Sequence, residues 1–276
     1  MTSRLLAISL SALLALLAPL HSAFAATPAT APTDNLLKLH QLRLAAQKSL
    51  GDFYMYNSMD GDQRYARQIE ESVHDASARM AELTDLPGDA SKAMRAQLEQ
   101  QLNAYEAELK SLTTAMKTQG FTDLQPVADL ATRNQQLMAL SSELYSKIQQ
   151  ESGQIVPPMT QQSREQSLLM QAIAVDYASR SASVGGTFIG SAAGEEHTID
   201  DLVTQFAGKL SSMESAPQNT AQIRESLNGI NTKWRYIEKS LKNYNENSVP
   251  FVVSKYSDSI IDGLEGVSAQ YLAAKL

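Results

Sequence analysis

The stretch Met94-Arg-Ala-Gln-Leu98-Glu-Gln-Gln-Leu102-Asn-Ala-Tyr105-Glu-Ala-Glu-Leu109-Lys-Ser-Leu112-Thr-Thr-Ala-Met116 sets its large apolar residues at alternating steps of four and three. That spacing lines them along one face of an α-helix and leaves the Glu, Gln, Lys and Thr side chains on the other. The pattern is a bundle stripe. It recurs before this stretch in Tyr65, Ile69, Val73, Ala76, Met80 and Leu83. After it the same steps appear in Ile199, Leu202, Phe206, Leu210 and Met213, then in Ile223, Leu227, Ile230, Trp234, Ile237 and Leu241, and again in Tyr256, Ile260, Leu264, Val267 and Tyr271. Aromatic residues make up only 6% of the chain, and Leu, Ala, Gln, Glu and Ser dominate it. The fold class is therefore all-α, and up-down four-helix bundles are the expected architecture.

Local chemistry marks where helices stop. Pro87-Gly88-Asp89 interrupts after Leu86, Gln119-Gly120 ends the next helix, and Asp123 followed by Pro126 suits a new start. Four helices fit before Gly153-Gln-Ile-Val-Pro-Pro-Met159, whose paired prolines break the chain. Ser163 with Gln166 three residues later reads as a capping box opening a second set of four. Asn57-Ser-Met-Asp-Gly-Asp-Gln63 has too few ligating positions for a calcium loop and reads as a turn.

The two sets look like copies. Arg95 set against Arg224, 129 positions apart, also aligns Leu98 with Leu227, Tyr105 with Trp234, and Lys110-Ser-Leu112 with Lys239-Ser-Leu241. Earlier in each half the offset is 124, pairing Leu44 with Leu168, Gln47 with Gln171, Asp52 with Asp176 and Phe53 with Tyr177. A small insertion before the third helix accounts for the change of offset. The expected organisation is a first unit over 34–152, a linker over 153–162 and a second unit over 163–276, two related four-helix units in tandem.

Ahead of them, Arg4, the apolar run from Leu5 to Leu20 and the small-residue site Ala23-Phe24-Ala25 have the layout of a signal peptide over 1–25, with an uncleaved anchor as the competing reading. The Pro-, Thr- and Ala-rich residues 26–33 read as a disordered tether. No later stretch is long and uncharged enough to span a membrane. The periplasm is the expected compartment. The absence of cysteine excludes disulfides and thiolate chemistry, so packing alone must provide stability there. A formal charge of −7, which loss of Arg4 makes more negative, argues against nucleic acid or anionic lipid as partners.

The first helix of each half is apolar on more than one face: Leu36, Leu37, Leu39, Leu42 and Leu44 in one, and Leu168, Leu169, Met170, Ile173 and Val175 in the other. Each is expected to bury one side in its own bundle and the other against the neighbouring unit or a second protomer, which makes a homodimer one outcome. On the line Leu36, Leu39, Arg43, Ala46, Leu50, Phe53, a guanidinium stands where a hydrocarbon belongs. It calls for a helix-borne carboxylate, an escape to solvent, or an anionic ligand.

These same helices carry a family likeness. Glu165-Gln-Ser-Leu-Leu-Met-Gln-Ala-Ile-Ala-Val-Asp-Tyr177 resembles the Gln-Arg-Met-Leu-Ser-Gln-Arg-Ile-Ala-x-x-Tyr motif of the PilJ-type domain, the extracytoplasmic four-helix module of type IV pilus chemotaxis transducers, with a relative in nitrate/nitrite sensor kinases. Gln166, Leu169, Gln171, Ile173, Ala174 and Tyr177 match it, and Arg43, Gln47 and Lys48 fall on its Arg, Gln and basic positions in the first half. In nitrate-sensing members the motif's first arginine meets its symmetry mate across a dimer and clamps the anion. The second half has Ser167 at that position and Ala172 at the second basic one, which leaves Arg43 as the candidate for this role. The resemblance thus implies a small, anionic ligand held by Arg43, Gln47, Lys48, Gln166 and Gln171.

Nothing else in the chain reads as chemistry. His40, His74 and His197 have no metal-ligand spacing, no Ser/His/Asp or Cys/His set is apparent, and no cofactor is expected. Val184-Gly-Gly-Thr-Phe-Ile-Gly-Ser-Ala-Ala-Gly194 lacks the Lys-Ser/Thr ending of a P-loop and reads as a turn, with Phe188 and Ile189 at its tip as a partner or membrane contact. With no second span and no output domain after Tyr271-Leu-Ala-Ala-Lys-Leu276, the chain is not expected to signal by itself. The expected function is a non-enzymatic, sensor-like binding module that takes a small solute or docks on a membrane receptor or pilus-related partner. The alternative is a helical envelope scaffold with no small ligand.

Overall fold

The computed structural model describes residues 31–183, 198–244 and 248–276. The expected signal peptide, residues 26–30 of the tether, His197 and the glycine-rich segment 184–194 lie outside the described residues. The protein is all-helical: among the described residues there are eight helices and no strand. They are α1 (Ala31–Ser58), α2 (Gln63–Glu82), α3 (Asp89–Gln119), α4 (Leu124–Ser152), α5 (Pro158–Ala182), α6 (Ile199–Glu214), α7 (Ala221–Lys242) and α8 (Pro250–Ala274). None is long and apolar enough to cross a membrane.

The stop signals act as their chemistry requires. Gly120 and Gly153 end α3 and α4 at φ of 81° and 67°, where a side chain on L-residues is disfavoured, and each backbone N–H returns to the carbonyl four residues back. Asp60 and Gly61, both at positive φ, turn the chain between α1 and α2. Two boundaries differ from expectation. Helix α1 already begins at Ala31, inside the stretch read as a tether. Helix α5 begins at Pro158, whose ring fixes φ in the helical range and removes an N–H that a first-turn residue does not need. Ser163 therefore opens no helix. Its hydroxyl donates to the Leu264 carbonyl (2.8 Å) and the Gln166 amide donates to the Phe206 carbonyl (2.7 Å), so both polar side chains join helices rather than cap one.

Helix α1 packs on α2 and α4, and α3 on α4; α5 packs on α6 and α8, and α7 on α6 and α8. One apolar core gathers Leu98, Leu102, Tyr105, Leu109 and Leu112 with Tyr65, Ile69, Met80 and Leu144. A second gathers Phe206, Leu210, Ile230, Trp234, Ile237, Ile260, Leu264 and Tyr271. The Phe206 and Trp234 rings meet at 4.3 Å between centroids.

Helices α1 and α5 lie against each other as well as against their own partners. No residue of α1 from Asp34 to Ser58 is fully exposed, and beyond its first residue, Pro158, helix α5 exposes only Glu165. The second apolar face read from sequence on each helix is thus covered by the other. They pack tightly at Gly51, where a Cβ would stand 3.1 Å from Cγ2 of Val175.

Candidate functional site

Because α1 and α5 bury two faces each, polar side chains on the second face are largely cut off from bulk water and need partners inside. The five sequence-nominated residues fall in four places. Lys48 and Gln171 come together on one side of the α1–α5 seam. Arg43 lies on the opposite side. Gln166 points into the α6 contact, with its Oε1 buried and unpartnered. Gln47 is buried within α1.

Lys48 is a clasp. Its ammonium donates to Asp52 Oδ1 at 3.2 Å and to Asp258 Oδ1 and Oδ2 at 3.0 and 3.1 Å, tying α1 to α8. Ser72 of α2 donates to Asp52 Oδ2 at 2.7 Å. Burial alone would depress the Lys48 ammonium, but the two carboxylates outweigh it and raise its pKa. For Asp52, burial is the largest influence and exceeds the attraction of Lys48, pushing the carboxyl up to about 6. A small cavity of about 20 Å³, lined by Lys48, Asp52, Gln171 and Asp258, has room for a single water. The clasp is a self-satisfied cross-link between helices.

The other side of the seam is different. Arg43 opens onto a cleft of about 810 Å³ lined also by Ser142, Tyr145, Gln161, Glu165, Leu168 and Lys209. Beside it, Arg164 of α5 is only 2% exposed. The Nε of Arg43 and the Nε and Nη1 of Arg164 are buried without a hydrogen-bond partner, and among the described residues neither guanidinium has a carboxylate within ion-pair distance. Burial lowers the Arg43 pKa, opposed by Tyr145 and Glu165, yet an arginine stays charged at any working pH. The hydroxyl of Tyr145 of α4 donates to Gln161 Oε1 at 2.6 Å, and the charges of both Arg164 and Arg43 act on it.

Next to the arginines, His40 is 1% exposed, and its Nε2 lies 2.8 Å from Glu265 Oε1 of α8. Burial holds the imidazole below its ordinary range, against the pull of Glu265, and Arg164 and Arg43 lower it further. Burial would raise Glu265, but hydrogen bonds from His40 and Ser167 and the charge of Arg164 bring it below the usual carboxylate range. The carboxylate is ionised, so His40 donates from Nε2. Ser167 Oγ lies 2.7 Å from the same carboxylate oxygen and 3.4 Å from His40 Nε2. A nucleophile relay needs the acid and the serine on opposite ring nitrogens. Here both approach Nε2, and Ser167 has no exposed surface, so the trio is a structural cross-link.

Arg164, His40, Ser167 and Glu265 were not nominated from sequence as site residues. A signal for two of them existed: the 124-residue offset that pairs Gln47 with Gln171 also pairs His40 with Arg164. Glu265 sits beside the stripe residue Leu264 and looks like any solvated helix carboxylate. Comparison with known proteins gives no match to this chain among family models, curated proteins or solved structures.

Proposed function

We propose that the chain is an exported, non-enzymatic binding module, built of two related four-helix units of PilJ-like type, that holds a small anion where the first helices of the units meet. The observation carrying this reading is the pair of guanidiniums, Arg43 from α1 and Arg164 from α5, with three buried nitrogens that lack partners. Buried cations require a compensating negative charge, and the planar guanidinium fork suits a small oxyanion or carboxylate. Ser167 stands where the family motif has its first arginine, so Arg164, three residues earlier, takes up the second cationic position within one chain rather than across a dimer.

Duplication is supported by matching roles. Arg95 at the start of α3 donates to the carbonyls of Leu83 and Met80 at the end of α2, and Arg224 near the start of α7 donates to Asn219 in the α6–α7 turn. Tyr105 and Trp234 are each buried at the middle of their stripes. Export to the periplasm rests on the Arg4 to Ala25 pattern, and docking on a membrane receptor or pilus-related protein on the motif likeness. A scaffold role is favoured by a different feature, the exposed Tyr236, whose ring meets that of Tyr256 at 4.6 Å, together with the exposed Phe251.

A thermal-shift titration of the purified chain with nitrate, nitrite, formate and acetate separates the two. A ligand of the folded state raises Tm by mass action. The expected result is an anion-dependent rise that Arg43→Ala abolishes. No rise with any anion leaves the scaffold reading.

A further inference from the structure

The buried polar cluster around the two arginines contains one imidazole, the side chain whose ordinary range lies nearest neutral pH. His40 is packed between α1, α5 and α8, with Glu265 on its Nε2. The charged groups acting on it are Arg43 from its own helix, Arg164 from α5 and Glu265 from α8. The charges of both arginines act on Tyr145 of α4, and Asp262 of α8 acts on Glu265's side of the cluster. Apart from Glu265, the buried charges here are positive.

We propose that anion capture at this junction is proton-linked through His40: a proton taken up by the imidazole places a third cation beside Arg43 and Arg164, and the bound anion and that proton stabilise one another. The inference rests on the anion-binding reading above. The Nε2–H is already committed to the Glu265 carboxylate, which can only accept, so the added proton goes to Nδ1 and the existing contact is kept. In the empty site two obstacles oppose that proton, burial of the ring and repulsion from the two guanidiniums. An anion between the guanidiniums cancels the second. By reciprocity the proton must then tighten the anion by the same factor, typically about 5- to 150-fold for coupled sites.

Nitrate serves as the probe, because it keeps one negative charge throughout pH 5 to 8. Calorimetric titration of the full chain across that range should show affinity rising as pH falls, with net proton uptake on binding. His40→Gln keeps a donor toward Glu265 but cannot take the proton, so it should bind nitrate with little pH dependence. In the unsubstituted chain, the His40 ring followed by NMR should titrate at higher pH when nitrate is present, a readout that needs no variant to fold. Nitrate binding with a flat pH profile, a slope retained in His40→Gln, or an unmoved ring titration overturns the proton linkage alone. Absence of nitrate binding at every pH overturns it together with the anion-binding reading.

Discussion

Asp52→Asn should make this protein more stable at alkaline pH, although it removes one arm of an ion pair. Asp52 is 3% exposed, and burial outweighs both Lys48 at 3.2 Å and the Ser72 hydroxyl at 2.7 Å, so its carboxyl titrates at about 6 instead of the ordinary 3.8. Between those two values the folded chain holds a proton that the unfolded chain has released. Stability therefore falls as pH rises through that window, and a gap of this size corresponds to about 3 kcal/mol in total. Asparagine keeps an acceptor for Ser72 and carries no charge to desolvate, while Lys48 keeps Asp258. Allowing for the lost Lys48 contact, the variant should exceed the parent by about 1–3 kcal/mol at pH 8 and match it near pH 4. Urea unfolding of both chains at the two pH values measures the difference directly, since titration of all other groups cancels. A variant more than about 1 kcal/mol less stable than its parent at pH 8 would show that Lys48's attraction exceeds the burial penalty, and the reasoning would be wrong.

Two substitutions test the packing. Trp234→Ala, at a side chain 2% exposed and stacked on Phe206, should cost about 3–5 kcal/mol, and a thermal melt left unchanged would put the indole outside the core. Gly51→Leu should drive a side chain into Val175 across the α1–α5 contact and cost about 1–3 kcal/mol by chemical denaturation, whereas no loss would mean that the two helices do not meet there.

Periodicity made the helices legible because each stripe follows from burial of a single face. Leu98, Leu102, Tyr105, Leu109 and Leu112 are all buried, as are Ile223, Leu227, Ile230, Trp234, Ile237 and Leu241. Two-sided burial of α1 and α5 was also readable, since both carry more apolar residues than one seam can use. What covers the second face was not readable, because a stripe records that a face is dry and not which element dries it. The polar residues there were harder still. Ser163 and Gln166 have the spacing of a capping box, and only the position of α8 and α6 shows that they bond to Leu264 and Phe206. Lys48 looked like a ligand residue, yet a carboxylate four residues on and another 210 residues away already satisfy it. Arg164 lies one residue before the stretch that resembles the motif, and nothing in its sequence neighbourhood marks it as buried.

The proposed anion site is marked by the unpartnered guanidinium nitrogens of Arg43 and Arg164. A crystal structure of the protein soaked in bromide, read by anomalous scattering, tests it most directly. A bromide peak should appear within hydrogen-bonding reach of Arg43, in the cleft beside Tyr145 and on the side facing Arg164. The same crystals showing no peak there, with both arginines instead paired to Glu165 and Glu265, would contradict it.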